Sequence, residues 1–164
     1  AMSERSEAIV DIIDECDKQG LTLDTQKAYV LATVEHETGN TFKPVKEGFF
    51  LKNPLQYLKR LRYYPYYGRG YVQLTWKENY RKYGELLGVD LVGNPDLACH
   101  PNIARYVLVH GFRTGAFTGK EITDYVTVGK TDFINARRCI NGTDKAAHIA
   151  QLAAKWLRVL RAAA

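Results

Sequence analysis

Apolar residues recur at three- and four-residue spacing along most of this chain, a pattern that predicts one helix after another. Ile9, Ile12 and Ile13 form the first stripe, with Ser3 ahead as an N-cap and Gly20 as a stop. A second helix starts from a cap at Asp24 or Thr25 and runs through Y-V-L-A-T-V-E-H-E-T, residues 29–38, reaching Glu37 before Gly39. Leu55, Leu58 and Leu61 mark a short helix. Thr75-Trp76-Lys77-Glu78 reads as a capping box for a helix that ends near Leu87, with Gly88 as its stop. Pro101 suits the first position of a helix carrying Ile103, Tyr106, Val107 and His110. Asp132 to Cys139 is a shorter candidate. The last helix, from Thr143 or Asp144, carries Ile149, Leu152, Ala153, Trp156 and Leu160. Residues 39–54 and 63–74 read as two long loops, the second aromatic, Gly-rich and irregular or weakly extended. The expectation is one mainly α-helical domain over residues 1–164 with at most a small β element. Its predicted core includes Ile12, Leu31, Leu86, Val107, Leu152 and Trp156.

The chain has 164 residues and a net charge of +5. That surplus suits an anionic partner, an acidic cell-wall polymer among them. The basic residues are scattered, with a modest cluster at Lys59, Arg60 and Arg62, so no nucleic-acid partner is expected. No apolar run is long enough to span a bilayer, and no stable membrane insertion is expected. Ser3-Glu4-Arg5-Ser6-Glu7 lacks the layout of a secretory signal. Ala1 ahead of Met2 reads as a cloning remnant, and a missing C-terminal extension stays open. Cys16, Cys99 and Cys139 form no C-x-x-C pair and read as free, mostly buried thiols. His36-Glu37 has asparagine where a zinc protease needs its second histidine, and His100 and His110 give no metal spacing. No metal and no cofactor are expected, and the chain is expected to be a monomer.

Two glutamates ten positions apart carry the candidate chemistry. Glycoside hydrolysis needs one carboxyl group that donates a proton and another that activates water or attacks the sugar. A carboxyl in the last turn of a helix faces the negative end of the helix dipole and keeps its proton; one beside lysines is pushed the other way. Glu37 closes a predicted helix, and Glu47 follows Lys43 and Lys46, so the local sequence separates an acid from a base. The expectation is a half-buried Glu37 and a more exposed Glu47. The plain alternative is a solvated pair of surface acids.

Residues 66–80, Y-Y-G-R-G-Y-V-Q-L-T-W-K-E-N-Y, resemble the signature of the family nineteen glycoside hydrolases, the plant-type chitinases and their bacteriophage endolysin relatives. His36-Glu37-Thr38-Gly39 is similar to the family's H-E-T/S-G element, and Arg137-Arg138-Cys139-Ile140-Asn141-Gly142 to the R-R-x-I-N-G segment of its phage branch. Asn94-Pro95-Asp96-Leu97 matches the N-P-x-L turn. The resemblance implies a lysozyme-like helical domain and an inverting hydrolase. Glu37 takes the position of the general acid and Glu47 that of the second carboxylate. Thr75 falls where a hydroxyl holds the attacking water; its place in the capping box gives it a structural task as well. Gln73, Asn79, Tyr67 and Asn141 fall at sugar-contacting positions, and Arg138 is a candidate partner for one of the acids. The 63–71 tyrosines serve either as stacking platforms or as core. Gly68 and Gly70 serve either a tight turn or a close backbone approach.

The shortened loops resemble the phage lysins. The implied activity is a muramidase cutting the β-1,4 bond between N-acetylmuramic acid and N-acetylglucosamine in peptidoglycan. Such a protein is made in the host cytoplasm and acts on the wall after release. A chitinase and a non-catalytic wall-binding module are the alternatives.

Overall fold

The computed structural model describes residues 2–164, just over half of them helical. In chain order the elements are α1 (Glu4–Lys18), α2 (Asp24–Glu37), β1 (Val45–Lys46), α3 (Pro54–Leu58), β2 (Arg69–Gly70), α4 (Lys77–Leu87), α5 (Pro101–Thr114), β3 (Val126–Thr127), β4 (Lys130–Thr131) and α6 (Ala146–Ala163). Three 3₁₀ turns, Pro95–Cys99, Ile122–Asp124 and Asn135–Cys139, join them. The fold is mainly α, as the apolar spacing predicts. The chain folds as two compact units. One holds the chain up to Phe42 and from Leu108 onward, and the other holds Lys43–Val107.

In the first unit α2 is the central helix. Every residue from Ala28 to Val34 is buried, including Thr33, whose hydroxyl donates to the Tyr29 carbonyl at 3.0 Å. This explains why α2 shows no apolar stripe: a helix covered on all sides needs none. Its most extensive packing partner is α6, which turns Ala146, Ile149, Ala153 and Trp156 inward at three- and four-residue spacing. Ser3 caps α1 as predicted, accepting from the Ser6 amide at 3.1 Å. Arg5 of α1 donates to the Asn40 side chain at 2.7 Å and to the Asn40 carbonyl at 3.1 Å. Its guanidinium lies 4.9 Å from the Phe42 ring centre. Cys16 and Cys139 are buried free thiols, and burial pushes both up to about 12; Cys99, in the second unit, is half-buried.

The second unit holds the short antiparallel pair β1–β2, in register Val45 to Gly70 and Lys46 to Arg69. Gly70 sits at φ +95°, and a Cβ there would lie 3.2 Å from the Ala98 carbonyl oxygen, so both its conformation and its packing select glycine. Gly68 has a different reason: a Cβ would lie 2.7 Å from Gln73 Oε1.

Several local expectations fail; one is the cap of α2, where Leu23 precedes the helix and Asp24 and Thr25 lie inside it. The capping box does not form, because Trp76 at φ +77° is the residue before α4 and the Thr75 hydroxyl instead donates to the Gln73 carbonyl at 2.8 Å. Glu78 is drawn off by an ion pair with Arg81. Leu86 is 51% exposed, since Tyr80, Tyr83 and Gly84 take the inward face of α4 and the half-buried Leu87, four residues after Tyr83 and three after Gly84, continues it, which turns Leu86 about 100° away. Leu152 is half-buried, while Ile12, Leu31, Val107 and Trp156 are buried.

Candidate active site

Glu37 is the last residue of α2, and the sequence after it explains why the helix stops there. The buried Thr38 hydroxyl donates to the Val34 carbonyl at 2.7 Å and accepts from the Phe42 amide at 3.0 Å. Gly39 and Asn40 then take positive φ, and the Asn40 amide returns to the Glu35 carbonyl at 2.8 Å. The E-T-G run is thus a helix terminator that fixes a carboxylate at the helix end. Glu37 is half-buried, with 19% of its side chain exposed, and its Oε1 accepts from Arg137 Nη1 at 3.2 Å. Arg137 is 2% exposed, and its Nε donates to the Asp144 carbonyl at 2.7 Å, which fixes the fork. Two residues back along α2, Glu35 accepts instead from Lys155 and from Trp156 Nε1, the latter at 2.9 Å, and ties α2 to α6. His36 lies between them, its ring centre 5.6 Å from that of His148. Burial holds the His36 pKa below the usual histidine value against the opposing pull of Glu37; Arg137, His148 and Lys145 add to the lowering.

Glu47 follows β1 and, like Glu37, is half-buried, so the predicted contrast in exposure is absent. The hydrogen-bond donors around it are neutral, and Lys46 lines the same cavity. Tyr63 donates to both carboxylate oxygens, at 2.8 and 2.7 Å, Tyr57 donates to Oε2 at 2.9 Å, and the Gly68 amide donates to Oε1 at 3.0 Å. The Glu47 amide in turn donates to the Gly68 carbonyl at 2.7 Å. Each of these side-chain bonds is one that Glu47 accepts. Hydrogen bonding to Glu47 raises the Tyr57 phenol, and burial followed by the same carboxylate raises that of Tyr63. A cavity of about 520 Å³ opens beside Glu47, lined also by Val45, Phe49, Leu55, Leu58 and Tyr67.

The other predicted residues divide between the units. Gln73, at φ +59°, donates from its amide to the Val45 carbonyl at 3.1 Å. Asn79 donates to the Thr75 carbonyl at 2.8 Å. Tyr67 is buried, with the Arg69 guanidinium 3.7 Å from its ring centre, and its carbonyl accepts from Tyr80. Arg69 Nε is bound to Asp96 at 3.0 Å, so the Y-Y-G-R-G segment is held by a buried arginine. In the first unit, Asn141 is exposed. Arg138 is exposed as well and donates to Asn135 at 3.1 Å. The expectation that Arg138 pairs with an acid is corrected: Arg137 does so. The two are adjacent in a 3₁₀ turn, and nothing in R-R tells which one faces inward. Tyr57 and Tyr63 are likewise Glu47 partners that the sequence leaves among many aromatics. Among the described residues no group of three or more His, Cys, Asp or Glu side chains is placed to hold a metal ion, and no helix is long and apolar enough to cross a membrane.

The chain is similar to known proteins in both sequence and fold. Chitinase 8 of Oryza sativa subsp. japonica is 67% identical over 33 residues, 20% of this chain. The matched segment spans only 13% of that relative. Among solved structures, chitinase C from Streptomyces griseus HUT6037 superposes with a TM-score of 0.66 over 92% of this chain and 68% of its own; at 24% identity the likeness is one of fold. A bacterial family 19 chitinase matches with a TM-score of 0.62 and 25% identity, covering 90% of this chain and 85% of that one. The family described as chitinase class I matches residues 28–147, from the start of the buried run of α2 to the start of α6, and the chain therefore belongs to the family 19 glycoside hydrolases.

Proposed function

We propose that this chain hydrolyses β-1,4 bonds of an N-acetylhexosamine polymer by single displacement, and that the polymer is peptidoglycan. The observation that carries the hydrolytic reading is the pair of unlike carboxylates inside the family match: Glu37 at a helix end on a buried arginine, and Glu47 ringed by neutral donors. Glu37 donates its proton to the glycosidic oxygen as the bond to the anomeric carbon breaks. A water attacks that carbon from the opposite face and gives a proton to Glu47, leaving an inverted product. Thr75 supports this chemistry in one specific way. Its own proton is committed to the Gln73 carbonyl, so toward a water it acts as an acceptor. A water that donates one hydrogen to Thr75 and the other to Glu47 has a lone pair left for attack. Gln73, Asn79, Tyr67, Asn141 and Arg138 are the proposed sugar contacts.

The similarity of the short loops to phage lysins supports peptidoglycan as the polymer. On this reading the protein is an endolysin that is made in the host cytoplasm, reaches the wall after release and works as a monomer. The chitinase relatives favour the second reading, neutral chitin as substrate. Digesting purified peptidoglycan and chitin oligomers side by side, with mass spectrometry of the products, separates the two. Muropeptides cut between N-acetylmuramic acid and N-acetylglucosamine are expected. Release from chitin oligomers alone supports the second reading, and binding without new reducing ends would make the chain a wall-binding module. Proton NMR of the first-formed reducing end should show the α anomer; a β anomer would make Glu47 a nucleophile.

A further inference from the structure

Residues 43–62 hold six basic side chains and one acidic one, Glu47, a surplus of five that equals the surplus of the whole chain. The rest of the chain is therefore balanced in charge. Within this stretch Lys46 is bound to Asp96, and the Arg62 guanidinium lies 5.5 Å from the Trp76 ring centre. Lys52, Lys59 and Arg60 are exposed and form no ion pair among the described residues. Interleaved with them are large apolar side chains in water. Phe49 is 45% exposed, Phe50 78%, Leu51 36%, Leu55 55% and Tyr57 40%. Of the short helix α3, only Leu58 is buried. A shallow depression of about 370 Å³ is lined by Leu51, Tyr57 and Leu61 together with Lys52 and Arg60.

Phe49 and Leu55 also line the cavity beside Glu47, and the Tyr57 hydroxyl donates to Glu47, so Phe50 and Leu51 are the apolar side chains given no other task; an apolar partner alone would give the three unpaired cations nothing to bind. We propose that residues 49–62 form a docking surface for an anionic phospholipid bilayer. Lys52, Lys59 and Arg60 meet headgroup phosphates, and Phe50 enters the boundary between headgroups and acyl chains. The alternative anionic partners use less of the surface. A phosphate- or carboxylate-bearing polymer leaves the phenylalanines in water. A nucleic acid needs a flat stacking platform, and the Phe49 and Phe50 rings stand at 88° to one another.

The test uses Glu37→Gln protein, so that binding is read with hydrolysis removed; failure of the proposed glycosidase function then leaves the result untouched. Vesicles of phosphatidylglycerol and phosphatidylethanolamine should sediment the protein, and phosphatidylcholine vesicles should not. Trp76, 45% exposed and beside Arg62, should shift its emission to the blue on binding, whereas Trp156, 6% exposed, should not respond. Replacing Lys52, Lys59 and Arg60 together by Gln should weaken vesicle binding on the order of 10²-fold, from about fivefold per charge near an anionic surface. Phe50→Ser should weaken it roughly tenfold. These side chains are exposed, and circular dichroism checks that the variants fold. Hydrolysis of a soluble substrate by the same variants, with Glu37 restored, should be unchanged. Equal binding to phosphatidylcholine, or no vesicle binding at all, overturns the proposal. So does capture by purified peptidoglycan, but not by vesicles, that disappears in the Lys52, Lys59 and Arg60 variant.

Discussion

Glu37 and Glu47 are both half-buried, yet they are held by opposite means. Glu37 ends a long helix and meets one partner, a guanidinium that is itself sealed from water and anchored on the Asp144 carbonyl. Glu47 follows a two-residue strand and meets two phenols and one amide. The first arrangement is a single charged bond, so its strength and its vulnerability are concentrated in one contact. The second spreads the same task over several neutral bonds, each of modest worth. Burial alone therefore does not distinguish the two carboxylates; the kind of partner does.

The largest expected effect tests whether Glu37 is the group that donates. Glu37→Gln keeps the shape and the acceptor for Arg137 while removing the transferable proton. Turnover should fall by about 10² to 10⁴, with a folded protein of lower stability, because the buried Arg137 guanidinium then keeps only a neutral acceptor. A folded Glu37→Gln protein of near-native turnover would remove Glu37 from the reaction.

Arg137→Met addresses the charged contact itself. It leaves the Glu37 carboxylate and the Asp144 carbonyl without their donor inside the first unit, and stability should drop by about 3 kcal/mol, read from the urea midpoint at constant slope. Adding Glu37→Gln to it should recover part of the loss, because the orphaned charge is then gone. Lys46→Gln, which breaks the exposed pair with Asp96, should cost less than about 1 kcal/mol. Similar costs for Arg137 and Lys46 would mean that the guanidinium is not what holds Glu37.

These contrasts also show what the sequence makes legible. The helix around residues 29–37, its end at E-T-G and the helix opening at Pro101 follow from local rules, because capping and positive φ act within a few residues. The glutamates were identifiable for the same reason: one ends a helix, and the other follows lysines. Their partners were not. Arg137 lies a hundred positions from Glu37, and its neighbour Arg138 is chemically identical, so only packing decides which enters. Tyr63 and Tyr57 are two among eleven tyrosines. The β3–β4 pair, two residues per strand around Val128-Gly129, is too short to leave an alternating pattern. Leu86 shows the same limit in the core: helical spacing admits it, but the tyrosines of α4 occupy the inward face.

Around Glu47 the effects should be smaller and graded. Tyr63→Phe removes the donor to both oxygens, and turnover should fall roughly tenfold, the worth of about one hydrogen bond to a charged group. Tyr57→Phe removes one bond from a ring that is 40% exposed, and a loss of about threefold is expected. Steady-state kinetics on one soluble substrate ranks them. The order Tyr63 above Tyr57 sharpens the comparison. A loss from Tyr57→Phe as large as that from Glu37→Gln would break it, because Glu47 would then depend on a single contact as Glu37 does.

The smallest expected effect is a difference in pH response. His36, beside Glu37, has a folded-state pKa below the ordinary histidine value of about 6.5, chiefly through burial, with Glu37 opposing and Arg137, His148 and Lys145 assisting. The unfolded chain therefore binds the proton first. Stability from the neutral ring is fully present above about pH 6.5 and is lost as pH falls from there through the folded-state value. Glu47 has no such neighbour among its hydrogen-bond partners: both phenols are shifted up, away from this range, and the Gly68 amide does not titrate. Thermal unfolding followed from pH 7 to pH 5 should show native stability declining more steeply than that of His36→Asn, whereas Tyr63→Phe should keep the native slope. Groups away from His36 are the same in all three proteins, so the difference between slopes reports the ring together with its coupling to Glu37 and His148. Parallel curves for native and His36→Asn protein would mean that the pH response of the Glu37 region comes from elsewhere, and a flattened curve for Tyr63→Phe would place a titrating group beside Glu47 after all.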